Sequence, residues 1–325
     1  MSGMTTANSD LLIRSELWSR ELKETLKDEL LMAGYVDLLD EFPDGNTFTI
    51  PSVGDPQVDD YEEDTAITYR PLDTGEWQFT ISEYLSSATY VTKKNMQDSF
   101  YMNQLVANFV PQQRRAIMEH YETTLLEQPE SVLGASANGQ YAINGAYHRM
   151  AGGNSGSIEV ADFAYALYAL KKANVPQTNL IAIVDPSVEY TINTLSNLVS
   201  VSDNPRWEGV IADGIATGMK FVKNVYGFDV YTSNYLPSDV DDNALPERDG
   251  STTKDFSSTN GTANYFFSAD STVLPWKAAW RQEVEVDSEY NKDYQRFEFV
   301  TTARYGKGLY RPENMVSIVT DTTVS

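Results

Sequence analysis

The residues best equipped for chemistry are two histidines, a serine in a glycine-rich stretch, one run of aspartates, and 47 carboxylates spread over 325 residues. His120 and His148 cannot build a three-histidine metal site, and two imidazoles leave little for general-base catalysis. Gly153-Asn154-Ser155-Gly156-Ser157 approaches the nucleophile motif G-x-S-x-G. Ser157 stands where the last glycine is needed, and the flanks lack the required strand-to-helix turn. Asp239-Val240-Asp241-Asp242-Asn243-Ala244 starts like a calcium loop. It fails at Ala244, where the turn needs glycine, and at Gly250, where a bidentate glutamate is needed. Asn260-Gly261-Thr262 is a chance-level glycosylation sequon. The absence of cysteine removes disulfides, thiolate nucleophiles, iron–sulfur clusters and cysteine zinc sites. No G-x-G-x-x-G and no P-loop occurs. Close acid pairs arise by chance among so many carboxylates, so no glycosidase pair is nominated. No catalytic, cofactor or metal residue is assigned, and the chain reads as non-enzymatic.

What remains is charge. Lys and Arg number 24 against 47 Asp and Glu, a net charge of −23. Such a chain repels phosphates and is not expected to grip nucleic acid non-specifically. The acidity is uneven. Residues 1–45 carry 4 basic and 10 acidic groups, and residues 46–92 carry Arg70 against 9 acidic groups. Residues 93–128 balance at 4 and 4, and residues 238–262 carry 2 and 6. The acidic run includes Asp59, Asp60, Glu62, Glu63 and Asp64. The cations that could answer it are Lys93, Lys94, Arg114 and Arg115. This is chemistry of electrostatic complementarity, with another copy of the chain as one natural partner.

The elements that must position these groups can be read from periodicity. Trp18, Leu22, Leu26 and Leu30 recur every four residues, which predicts a helix over 11–33 with Gly34 as its stop. Its narrow apolar stripe must dock on a core or on a neighbour. Residues 46–92 alternate with the strand period around Phe48, Ile50, Trp77, Phe79 and Ile81, which predicts a long β-hairpin with an exposed acidic part. A two-stranded ribbon is marginal in isolation, so a neighbour is expected to cover it, with burial around Trp77 and Phe79 dominating. Residues 93–128 predict a long helix, with Pro111 kinking it or starting a second one. Residues 129–157 read as turns or a linker, and His148 beside Arg149 as an ordinary polar contact. Residues 158–237 look α/β: a helix from Val160 to near Asn174, a buried strand Leu180–Val184, and a helix capped by Asp185-Pro186. A hairpin around Tyr226-Gly227 follows. Residues 237–262 read as a long polar loop, the expected disordered or variable surface element. Strands are expected at 263–267, 276–286, 296–302 and 315–320. No apolar run approaches the ~20 residues a membrane span needs, and MSGMTTANSD shows no secretion signal.

Five strings, taken in order, carry a resemblance. They are Leu17-Trp18-Ser19, Phe42-Pro43-Asp44-Gly45 with Phe48-Thr49-Ile50-Pro51, Ala182-Ile183-Val184-Asp185-Pro186-Ser187, Asn204-Pro205-Arg206-Trp207-Glu208-Gly209, and Leu309-Tyr310-Arg311-Pro312-Glu313-Asn314. With the segment order, they resemble the major capsid proteins of tailed double-stranded DNA bacteriophages, similar to those of marine podophages. The resemblance implies the α+β Hong Kong 97-type fold. Residues 1–45 would be the N-arm and 46–92 the extended E-loop. Residues 93–154 and 276–307 would be the peripheral domain with its spine helix, and 155–275 and 308–325 the axial domain. Arg206 and Trp207 would sit in a loop at the capsomer centre. The implied partners are identical subunits in hexamers and pentamers, a separate scaffolding protein, a portal, and in some shells a decoration protein. The icosahedral shell would enclose DNA without reading its sequence, with the protein in the virion after assembly in the host bacterial cytoplasm. One departure matters: residues 46–92 contain no lysine, so isopeptide cross-linking through that loop has no nucleophile. Two rivals predict different behaviour. An encapsulin-type nanocompartment shell would enclose a cargo enzyme and no DNA, and an acidic hydrolase would be a small particle with a deep pocket.

Overall fold

The computed structural model describes residues 30–39, 47–54, 58–64, 66, 67, 69, 74–98, 102–135, 141–153, 156–194 and 224–322. The expected N-terminal helix lies almost wholly outside these residues. Where the chain comes into view it is a 3-10 turn, Met32–Gly34, followed by β1 (Val36–Leu38), so no helix runs to residue 33.

The hairpin forms as expected: β2 (Thr47–Val53) pairs antiparallel with β3 (Thr74–Thr80), setting Phe48 opposite Phe79 and Ile50 opposite Trp77. The next strand, β4 (Glu83–Thr92), leaves the ribbon. It joins a four-stranded sheet with β14 (Trp276–Asn291) and β15 (Arg296–Leu309), in the order β1-β14-β15-β4. On β4 exposed and inward residues alternate, so Tyr84 and Tyr90 face solvent while Leu85 and Val91 face inward.

A short helix, α1 (Lys93–Asp98), precedes α2 (Met102–Leu133), 32 residues long and so about 48 Å. Pro111 lies inside α2 and does not open a second helix, and the helix also runs through Pro129. A proline at 129 donates no bond to the carbonyl of Leu125, and its ring crowds that turn. Side chains from the sheets repair the loss. Trp276 Nε1 donates to Leu125 O at 3.1 Å, and Tyr265 OH donates to Leu126 O at 2.7 Å. Upstream, Tyr121 stacks on Trp280 and edge-on to Tyr305 at about 5 Å, seating α2 against the four-stranded sheet.

The second sheet has six strands in the order β7-β16-β13-β8-β10-β9. They are β7 (Arg149–Ala151), β8 (Leu180–Val184), β9 (Asn224–Val225), β10 (Phe228–Thr232), β13 (Gly261–Ser268) and β16 (Val316–Asp321). Every residue of β8 and β13 is buried, because helices and loops cover both faces. On one face lies α3 (Val160–Lys172), packing Phe163 edge-on to Phe266 and near Phe228. Asp185 Oδ2 accepts the Ser187 N–H and caps α4 (Pro186–Thr194). Two small ribbons complete the fold. One pairs β5 (Ala142–Ile143) with β6 (Ala146–Tyr147), and the other pairs β11 (Leu245–Pro246) with β12 (Thr253–Lys254).

The polar loop expected to be disordered is the main departure. Residues 237–262 form a strap that buries Val240, Leu245 and Phe256 in the larger core. Reciprocal backbone bonds join Val240 and Gly261, and Phe256 N–H donates to Asp242 O. Composition misleads here because three buried apolar side chains suffice to hold a segment whose remaining residues are polar.

Candidate functional site

The ribbon β2–β3 has a rooted end and an exposed end. At the root, Gly306 and Gly308 lie two apart on β15 and leave its surface bare. A Cβ at Gly308 would come within 2.8 Å of the Trp77 ring, and one at Gly306 within 3.0 Å of Phe79. Phe79 is only 6% exposed. Trp77 is half-buried, donates from Nε1 to Leu309 O at 3.2 Å, and meets Tyr310 edge-on at 5.1 Å. Within the chain Trp77 and Phe79 both pack on its own sheet, because two glycines give them a seat there. The neighbouring Lys307 side chain is largely covered, 3.8 Å from Glu83, and burial lowers its ammonium pKa.

The far end behaves differently. Val58 is 94% exposed, Tyr69 92%, Tyr61 71% and Ile67 67%, and Asp59, Asp60, Glu62, Glu63 and Asp64 are exposed between them. Apolar and acidic side chains therefore alternate on a projecting element whose described residues cover them poorly.

The cations expected to answer that charge are dispersed. Lys93 and Lys94 are exposed at the start of α1, with Lys93 Nζ 5.9 Å from the centre of the Tyr290 ring. Arg114 is exposed on α2, and Arg115 pairs with Glu119 of its own helix at 3.0 Å. Arg206 and Trp207 lie outside the described residues. The structure does not gather the acidic run and these cations into one site within the chain.

Three ion clusters that sequence reading missed hold the strap instead. Arg149, buried, bonds Glu130 of α2 at 2.9 Å and Asp242 of the strap, and Ser317 Oγ donates to Glu130. Asp162, buried at the start of α3, accepts N–H bonds from Gly153 (2.9 Å) and Glu159 (2.7 Å) and pairs with Arg248 of the strap at 2.9 Å. Burial pushes this carboxyl up to about 6, against the pull of the two N–H groups and the guanidinium. Lys254 pairs with Asp321 at 3.2 Å. The ion-pair partners lie as far as 93 residues apart, so no local spacing could have announced them. The glycine-rich near-motif belongs to the second cluster. Gly153 takes φ +49°, and a Cβ there would meet Ser157 O at 2.0 Å, so glycine serves the turn that caps α3. His148 is buried, with Nδ1 2.9 Å from Met315 O, and burial lowers its pKa.

One cavity of about 230 Å³ opens between α2 and the β1–β14 edge. Val36 and Leu38, Met118 and Tyr121, and Trp280 and Val284 give it an apolar lining, with Arg114 and Glu283 also at its wall. Among the described residues no group of carboxylates and histidines could hold a metal, and no helix is long and apolar enough to cross a membrane.

No family model and no curated protein matches the chain. Solved structures do. A chain from Mycobacterium phage Che8 is 18% identical with a TM-score of 0.67, over 94% of this chain and 97% of that one. The capsid structure of Cyanophage P-SCSP1u gives 15% and 0.70, over 97% and 94%. The mature capsid of bacteriophage PhiM1 gives 12% and 0.66, also over 97% and 94%. The likeness is one of fold and spans nearly the whole chain: this is the α+β Hong Kong 97-type fold.

Proposed function

We propose that the chain is a structural subunit, a major capsid protein that closes with copies of itself into the icosahedral head of a tailed bacteriophage. The observation that carries this reading is the ribbon. Its root is locked into the subunit's own sheet while its far end presents exposed valine, isoleucine and tyrosines among acidic groups. A neighbour that covers this end gains apolar burial at ~25 cal/mol per Å², with exposed charge pairs adding at most ~1 kcal/mol each. On the neighbour, Lys93, Lys94 and Arg114 are the cations proposed to face Asp59 through Asp64; Arg115 is already engaged by Glu119. The net charge of −23 suits a wall that encloses DNA without gripping it.

In this reading residues 1–45 are the N-arm and the ribbon within 46–92 is the E-loop, with β4 belonging to the sheet of the peripheral domain. Arg206 and Trp207 face the capsomer centre. Hexamers and pentamers assemble in the host cytoplasm on a separate scaffold around a portal, the role is not catalytic, and any decoration protein binds from outside. Negative-stain microscopy and sedimentation of the full chain, with its scaffold where one is needed, test the proposal. Closed shells or lattice pieces of megadalton mass are expected, and a compact solitary subunit would refute it. Nucleic acid inside particles separates a phage head from an enzyme-filled nanocompartment. Without a lysine in 46–92, particles boiled in detergent should run as monomers near 36.4 kDa, and a ladder of oligomers would contradict that.

A further inference from the structure

We infer that the apolar cavity between α2 and the β1–β14 edge is the docking site for the N-terminal stripe of the same chain, with Leu26 and Leu22 as the side chains that enter it. The inference stands apart from the shell reading, since it concerns one subunit.

Three observations converge. The cavity wall is mostly apolar, with Arg114 and Glu283 as its charged members, and Leu38 on it is 49% exposed, which is unfavourable if nothing covers it. The chain enters the described region beside the cavity. Leu31 N–H donates to Glu122 Oε1 at 3.0 Å, Met32 is fully buried, and Ala33 is part of the cavity wall. Glu122 and Met118 lie one turn apart on α2, about 6 Å. Leu26 is five residues from Leu31, so at most ~18 Å of chain separates it from that anchor. The third observation is the stripe itself: Trp18, Leu22, Leu26 and Leu30 repeat every four residues, and Leu22 and Leu26 lie outside the described residues.

The choice of occupant follows from the tether. A segment held a few residues away meets the cavity at an effective concentration of order mM, which a second copy's arm must outcompete. The alternative partners therefore start at a disadvantage.

The chain has no cysteine, so engineered pairs report without background. Leu26→Cys with Met118→Cys, in the full-length chain, is oxidised in unassembled subunits and in assembled particles. Glu24→Cys with Met118→Cys is the control, because position 24 falls on the opposite side of the stripe. An intramolecular disulfide, read as a faster monomer band on non-reducing gels, is expected for the Leu26 pair and not for the Glu24 pair. Leu22→Cys with Arg114→Cys repeats the test one turn away and guards against a folding defect in the first variant. Disulfide-linked dimers in place of the fast monomer band would mean that a neighbour's arm fills the cavity and would overturn the proposal. Equal cross-linking from position 24, or none from either stripe position, would overturn it as well.

Discussion

The ribbon tip at residues 58–69 and the strap at 237–262 are both polar, acidic excursions between strands, yet the fold treats them in opposite ways. The strap spends its acids and bases inside the chain. Asp242 meets Arg149, Arg248 meets Asp162 and Glu159, and Lys254 meets Asp321, while Leu245 and Phe256 sink into the core. The ribbon tip leaves Val58, Tyr61, Ile67 and Tyr69 in water. The contrast lies in apolar anchors, not in how polar the segment is. Where the chain buries them in its own core, the excursion becomes part of the fold. Where they stay exposed, it becomes a surface that another molecule can complete.

The strongest way to break this contrast is to remove the tip. Replacing residues 58–69 with a short glycine–serine turn should abolish closed particles on the microscope grid. The unfolding free energy should stay within about 0.5 kcal/mol, as for surface changes away from packed features. Loss of subunit stability instead would make the tip part of the fold, like the strap.

Arg149→Ala should do the reverse. It leaves Glu130 and Asp242 as part-buried carboxylates without their guanidinium, at a cost of about 3 kcal/mol in urea unfolding. An effect below about 1 kcal/mol would show that the strap is held by its apolar anchors alone.

A subtler test uses pH. The folded-state pKa of Asp162, pushed up to about 6, lies above its ordinary value of 3.8, so between these values the folded chain holds the extra proton. Stability from this group is present at low pH and falls as pH rises through 6. Asp162→Asn should therefore flatten the wild-type profile between pH 4 and 7 by about 1–3 kcal/mol. His148 runs the other way: burial lowers its pKa, so its contribution falls as acid charges the unfolded chain. The difference between variant and wild type cancels that opposing slope, and identical profiles would remove Asp162 from the account. Smallest of all, Lys254→Ala should cost no more than about 1 kcal/mol, since its pair with Asp321 is part-exposed.

Much of the framework is legible along the chain. The spacing of Phe48, Ile50, Trp77 and Phe79 marks the ribbon, the run Leu180–Val184 marks a fully buried strand, and Asp185-Pro186 marks a helix start. Each signal is a repeat or a cap within a few residues, which is the range over which periodicity acts. The seat for Trp77 and Phe79 was not legible, because Gly306 and Gly308 read only as small residues in a strand until β3 is laid across them. The repair of Pro129 by Trp276 was hidden for the same reason: the indole lies 151 residues from the carbonyl it bonds.

Residue order alone was enough to mark most of the longer strands, the long helix and the concentration of negative charge, since these depend on neighbours in the chain or on plain counts; the short strands at 142–151 and 245–254, in stretches that read as turns and loop, were not marked. Which acidic excursion is bolted down and which projects could be settled only once distant groups had met. Arg149 finds Glu130 19 residues away and Asp242 93 residues away, and a cation's choice among 47 carboxylates depends on distance in space and on burial.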